Sequence, residues 1–176
     1  MVPIVPYVRL EEVAELAELH QEITGLRGRL LNLHRVLANC PASLRAFMVM
    51  SRHVRDESAL PDDLRELAIL TVAHTLENRY EIYQHEPIAL RLGLRPEQLA
   101  SLSTASASQH LTDLEGAVVS FAREATADRH TTVSTSARLA TFLPPEQIVE
   151  LALTVGWYHL CHVLIDSLGV EIETMG

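Results

Sequence analysis

The chain has no lysine: all 14 of its positive side chains are arginine. That absence excludes a Schiff-base mechanism, a pyridoxal phosphate enzyme and a phosphate-loop lysine within this chain. The seven glycines form no dinucleotide-binding fingerprint, so nucleotide binding has no support. The arginines are scattered and the net charge is −9, whereas neutralising a phosphate backbone needs clustered cations; no nucleic acid partner is expected. Cys40 and Cys161 lie too far apart for a metal-ligand spacing and read as small buried side chains in a reducing compartment. No Ser–His–Asp order or G-x-S-x-G elbow points to hydrolysis. The N-terminus MVPIVPYVRL lacks the basic n-region and apolar core of a signal peptide. The longest uncharged apolar run, Leu151 to Ile165, is short and holds two histidines, so it reads as a buried helix rather than a membrane span. The expectation is a cytoplasmic protein without a membrane partner.

What is present suits a helical protein. Apolar residues make up 48% and aromatics only 5%, a balance closer to packed helices than to a barrel or sandwich. At 176 residues, the chain is expected to form one all-α domain over 1–176, with 1–10 as an extended arm. Apolar periodicity predicts a helix over Glu11 to Glu22, broken at TGLRG, and a short apolar segment over Leu30 to Ala38. Pro41 opens a helix through His53, ended by the polar run RDESAL, and Pro61-Asp62-Asp63 opens a central one. Leu64 to Leu90 reads as one helix or two, with Asn78-Arg79 the place for a break. Short helices start at Arg95-Pro96-Glu97 and span Ser134 to Phe142; a longer one spans Leu111 to Ala127, and Pro144-Pro145-Glu146 opens the last, which runs through Leu168 and is stopped by Gly169. Residues 103–110 form a small-polar loop.

The chemistry concentrates between Glu66 and His85. Asn78, Glu81 and His85 recur at i, i+3 and i+7, which on a helix stacks three polar groups on one stripe interleaved with Tyr80 and Tyr83. A glutamate one turn from a histidine can share a proton with it, and its charge favours the imidazolium. Glu66 opens an apolar run where a helix has no need of a carboxylate. Glu77, Glu81 and His85 at i, i+4 and i+8 would suit several divalent ions, but no further ligand is identifiable and no metal is expected.

These residues carry a resemblance. The run RELAIL…ENRYEIYQH…A resembles the carboxymuconolactone decarboxylase family, which shares its fold with the AhpD-type alkylhydroperoxidases. In the peroxidase branch a glutamate precedes a CxxCxxxH motif by about three helical turns. Glu66 falls on that glutamate and His85 on the motif histidine, while Asn78 and Glu81 fall on the two cysteines. Peroxidase chemistry needs both thiols and does not carry over. The decarboxylase-like branch reads Tyr-Glu-Trp-x-x-His where this chain has Tyr80, Glu81, Ile82 and His85. The resemblance extends through LLNLHRVLANCPASLRAF upstream and LPPEQIVELALTVGWYHLCHVLIDSLGV downstream.

The resemblance implies a single AhpD-like helical bundle and a cofactor-free lyase or isomerase for a small carboxylated lactone or related unsaturated acid. In that reading His85 is the general acid or base, Glu81 sets its pKa and orientation, and Glu66 relays protons. Asn78, Tyr80, Tyr83, Trp157, His162 and His34 are the candidate substrate-binding residues. Relatives assemble as trimers or hexamers, so a homo-oligomer is expected. The alternative is a catalytically silent small-molecule-binding or assembly protein that keeps the fold.

Overall fold

The computed structural model describes residues 3–104 and 109–173, and every regular element among them is helical. By packing, the chain groups into two compact units. One comprises Met1–Glu57 with Val163–Gly176, the other Ser58–His162.

In the first unit, the described part of the N-terminal arm is tied down by backbone bonds. Ile4 N–H reaches the Leu168 carbonyl at 3.1 Å and Val8 N–H reaches that of Arg35 at 3.1 Å. The helix expected over Glu11 to Glu22 starts instead as two 3-10 turns, Leu10–Glu12 and Ala14–Leu16, and becomes α-helical as α1, Ala17–Arg27. It runs through the anticipated TGLRG break because Gly25 is tolerated inside the helix. Gly28, at φ 73°, ends it in the left-handed conformation that glycine adopts at no steric cost. Next come α2, Asn32–Leu37, and α3, Pro41–Arg52, with its proline in the first turn where a missing N–H is harmless. The polar run does not stop α3: a π-helical turn, His53–Glu57, prolongs it. Cys40, expected to be buried, is exposed, because it precedes the first turn of α3.

The second unit is built on α4, Asp62–Thr75, which is apolar nearly all round; every residue from Leu64 to Ala73 is buried. It packs against α5, Arg79–Arg91, and α7, Asp113–Ala127. Leu67, Leu70, Ala89, Leu94, Leu99, Leu102 and Val119 form one core cluster, each large side chain contributing about 1.5–3 kcal/mol by burial. The question of one helix or two is answered by the turn at Leu76, Glu77 and Asn78. Asn78 N–H closes on the Ala73 carbonyl at 2.8 Å, Glu77 adopts a positive φ of 54°, and Asn78 becomes the N-cap of α5.

Between α5 and α7 lies α6, Pro96–Ser101. The small-polar loop at 103–110 falls partly outside the described residues, at 105–108. Thr112 and Glu115 form a reciprocal capping box at the start of α7, and Thr132 caps α8, Val133–Leu139. The long helix α9, Pro145–Leu168, gives this unit its residues up to His162. By length and composition α9 could cross a membrane. One face carries the buried Leu151, Thr154, Val155, Tyr158 and Cys161, while Val149, Ala152, Gly156 and Leu160 are exposed, so the expected burial holds for one face only.

Candidate active site

Three helices of the second unit bring the polar groups together. Glu66 sits one turn into α4, inside its buried run; Glu81 and His85 lie one turn apart on α5; Tyr158 and His162 lie one turn apart on α9. Glu66 Oε2 is 2.7 Å from His85 Nδ1. On the other side of the ring, His85 Nε2 is 3.1 Å from the Tyr158 hydroxyl and 3.3 Å from Glu81 Oε2. When the ring is protonated, its Nε2–H is shared between the phenol and the carboxylate, a three-centre arrangement; in a neutral ring with its hydrogen on Nδ1, Nε2 accepts from the Tyr158 hydroxyl instead. Tyr158 also meets the imidazole edge to face, with ring centroids 5.0 Å apart and planes at 88°. Glu66, Glu81, His85 and Tyr158 are each at most 5% exposed.

Burial by itself disfavours the imidazolium and pushes the His85 pKa down. The charge and hydrogen bond of Glu66, followed by those of Glu81, act the other way and prevail, so His85 titrates above its ordinary value. The network forms a proton chain: Glu66 holds Nδ1–H, and Nε2–H hands over to Tyr158 or Glu81.

Glu81 and Tyr158 border a tightly closed crevice, lined also by Val72, Ala73, Leu76, Asn78 and His162, which has no room for a water molecule in this structure. Glu81 and Tyr158 are thus the members that meet the crevice, with His85 behind them and Glu66 behind His85. Asn78 does not sit on a helical stripe with them. As the α5 N-cap its Oδ1 accepts the Glu81 N–H at 3.1 Å, and its Nδ2 lies 3.2 Å from His162 Nδ1. Beside it, His159 Nε2 is 3.0 Å from the Thr126 hydroxyl, and burial, then the neighbouring His162, push the His159 pKa down.

Other sequence candidates lie elsewhere. Tyr80 and Trp157 are buried and Tyr83 is exposed, and none of the three lines the crevice. His34 belongs to the first unit, where its Nδ1 accepts the Leu31 N–H at 3.2 Å and its ring meets Phe47 edge-on. Glu77 has left the helix for the turn, so the i, i+4, i+8 ligand spacing is not realised. Among the described residues no group of three or more His, Cys, Asp and Glu side chains is placed to hold a metal ion. Tyr158 lies in the run GWYHLCHVL, which resembles a substrate-facing helix of the family, but the sequence does not single it out as a partner of His85. Its one-turn spacing from His162 in a helix that buries its neighbours was the available signal.

Residues 41–124 match the family model described as the carboxymuconolactone decarboxylase family. No curated protein matches the sequence. Among solved structures, a variant of the debrominase Bmp8 in complex with 2,3,4-tribromopyrrole aligns with a TM-score of 0.84 at 16% identity, covering 99% of this chain and 94% of that one. An uncharacterized peroxidase-related protein from Silicibacter sp. TM1040 aligns at 0.83 and 16% identity, covering 99% and 94%. Another peroxidase-related protein, described as an alkylhydroperoxidase AhpD core and from Ralstonia eutropha JMP134, aligns at 0.83 and 15% identity, covering 98% and 93%. At such identities the likeness is one of fold: all-α and AhpD-like.

Proposed function

The chain belongs, through residues 41–124, to the carboxymuconolactone decarboxylase family, and from that premise we propose that it is a cofactor-free acid–base enzyme acting on a small carbonyl compound. The observation that carries this reading is the buried relay Glu66–His85, which ends on Glu81 and Tyr158 at the crevice. Glu81 takes a proton from carbon next to a carbonyl, and the electron pair moves onto the carbonyl oxygen. Tyr158, its oxygen accepting from the His85 imidazolium, turns its own O–H toward that oxyanion. Return of the proton to a different carbon completes an isomerisation. Decarboxylation of a carboxylated lactone, the reaction in the family's name, runs through the same dienolate. There the electrons come from the breaking bond to CO2 and the proton arrives through the relay.

The test is turnover in deuterium oxide of small enones, lactones, carboxylated lactones and β-keto acids, following carbon-bound deuterium by mass spectrometry together with CO2 release. Incorporation that Glu81→Gln and His85→Ala both lose supports the reading; full turnover in both variants overturns it. A second reading, a protein that retains a small ligand without changing it, is favoured by the tightness of the crevice. Its signature is an unaltered co-purified ligand. Thiol peroxidase chemistry has no support in the positions of Asn78 and Glu81. A homo-oligomer, trimer or hexamer, remains part of this proposal, and the exposed Val149 and Leu160 of α9 are consistent with it. A monomer at micromolar concentration in light scattering would sink it.

A further inference from the structure

The crevice beside Glu81 and Tyr158 is closed to a water molecule, so whatever reaches these two groups needs part of its wall to move. Of the residues that line it, Leu76 and His162 are partly exposed and the rest are buried, which makes these two the side chains standing between the buried groups and solvent. Leu76 belongs to the turn between α4 and α5, and that turn is pinned by its own backbone. Leu76 N–H meets the Val72 carbonyl at 3.0 Å, Glu77 N–H that of His74 at 3.2 Å and Asn78 N–H that of Ala73 at 2.8 Å. The side chain of His162, on α9, is the freer of the two.

What holds His162 is Asn78. The Asn78 Oδ1 accepts the Glu81 N–H at 3.1 Å as the α5 cap, which leaves Nδ2 facing His162 Nδ1 at 3.2 Å. An NH2 group only donates, so Nδ1 can take part in this bond only while it carries no proton. An imidazolium has an N–H on both nitrogens, and two donors then oppose each other. Asn78 cannot turn its oxygen toward Nδ1 without uncapping α5.

We propose that the Asn78–His162 hydrogen bond is a latch on the crevice, released when His162 takes a second proton, so that access to Glu81 and Tyr158 increases as the pH falls. The inference rests on the reading of those two groups as the ones that meet a substrate, and it adds the regulation of that site. The titratable groups around His162 are Glu81 of α5 and Tyr158, His159 and Asp166 of α9, while α4 presents the apolar Val72 and Ala73. His159 is held toward its neutral form by burial and then by His162 itself.

The experiment needs no substrate. Val72→Cys, in a full chain that also carries Cys40→Ser, places a thiol on the crevice wall. Its modification by methyl methanethiosulfonate is timed in native protein, by mass spectrometry of the labelled peptide, from about pH 8 to about pH 5.5, the range in which histidines change charge. Each rate is divided by that of the same chain with His162→Asn, whose amide oxygen offers Asn78 an acceptor that does not titrate; the division cancels the thiolate fraction. The ratio should rise about two- to tenfold as the pH falls, the scale of one hydrogen bond lost. His162→Phe, which has no acceptor, should give a high ratio that is flat with pH. Ala73→Cys is the second reporter, in case Val72→Cys does not fold. A flat ratio with His162 in place, or a His162→Phe chain as closed as His162→Asn, overturns the latch and leaves the acid–base reading standing, since no turnover is involved. A rising ratio with full turnover in Glu81→Gln supports the latch and overturns that reading instead.

Discussion

Glu66 and His85 are separated by nineteen residues in the chain, yet their side chains meet at 2.7 Å in the interior, Oε2 against Nδ1. The contact exists because the turn at Leu76, Glu77 and Asn78 folds α5 back along α4. It makes the carboxylate of a buried helix the counter-ion of a buried imidazole.

Removing Glu66 takes the partner from His85 Nδ1 in the core and leaves the ring with Glu81, 3.3 Å from Nε2, as its acidic neighbour. Glu66→Ala is expected to destabilise the protein by about 3–5 kcal/mol in urea unfolding. Glu66→Gln keeps a hydrogen bond but not the charge, so it should lower the His85 pKa, measurable from the ring's proton shifts. An unchanged His85 titration in Glu66→Gln would show that the ion pair does not hold the proton.

The raised His85 pKa links stability to pH. Its contribution is fully present below the unfolded value of about 6.5 and is lost as pH rises through the folded value. His74 and His159, both lowered first of all by burial, act in the opposite sense: their contribution is present above that value and lost as pH falls. The comparison is therefore between wild type and His85→Gln. The stability difference should shrink as pH rises above about 6.5; a difference that is flat through pH 9 contradicts it.

Glu81 and Tyr158 meet the crevice and His85 does not, which orders the variants. Glu81→Gln should reduce proton exchange at carbon by about 10²–10⁴-fold, the range of a general base. Tyr158→Phe should reduce it by about 10²–10³-fold, as for loss of one donor to an oxyanion. Rates indistinguishable from wild type in Tyr158→Phe would remove the phenol from the relay.

The two thiols should differ in reactivity. Cys40 is exposed, and the Ser43 hydroxyl, 3.1 Å from its Sγ, is the first cause that lowers its pKa; Cys161 is buried. In native protein one thiol per chain should react rapidly with a maleimide, and Ser43→Ala should slow that reaction. Mapping the label to Cys161 would contradict this burial.

Most of the helices were legible in the sequence because helix signals are local: Pro41 and Pro145 in first turns, acids at 62 and 63, and glycines 93 and 169, both at positive φ, after helix ends; the 3-10 turns before α1, its run through Gly25 and the π-helical turn after α3 were not. Glu66, Glu81 and His85 were legible as a set through their family resemblance. Glu81 and His85 were also legible through helical spacing. What spacing could not give was the role of Asn78. Its i, i+3 relation to Glu81 looks the same for a residue on a helical stripe as for the N-cap of a new helix. Only the positive φ of Glu77 and the tertiary position of α5 separate the two.

The sequence by itself determined an all-α fold and the α5 pair of titrating groups, since both follow from periodicities within one helix. The tertiary structure alone decided that Tyr158 and His162, more than seventy residues from His85, complete the cluster, that Tyr83 faces solvent, and that His85 stands behind Glu81 rather than at the crevice. Side chains that meet across helices are selected by how apolar faces pack, and that packing depends on several segments at once, which no single stretch of sequence records.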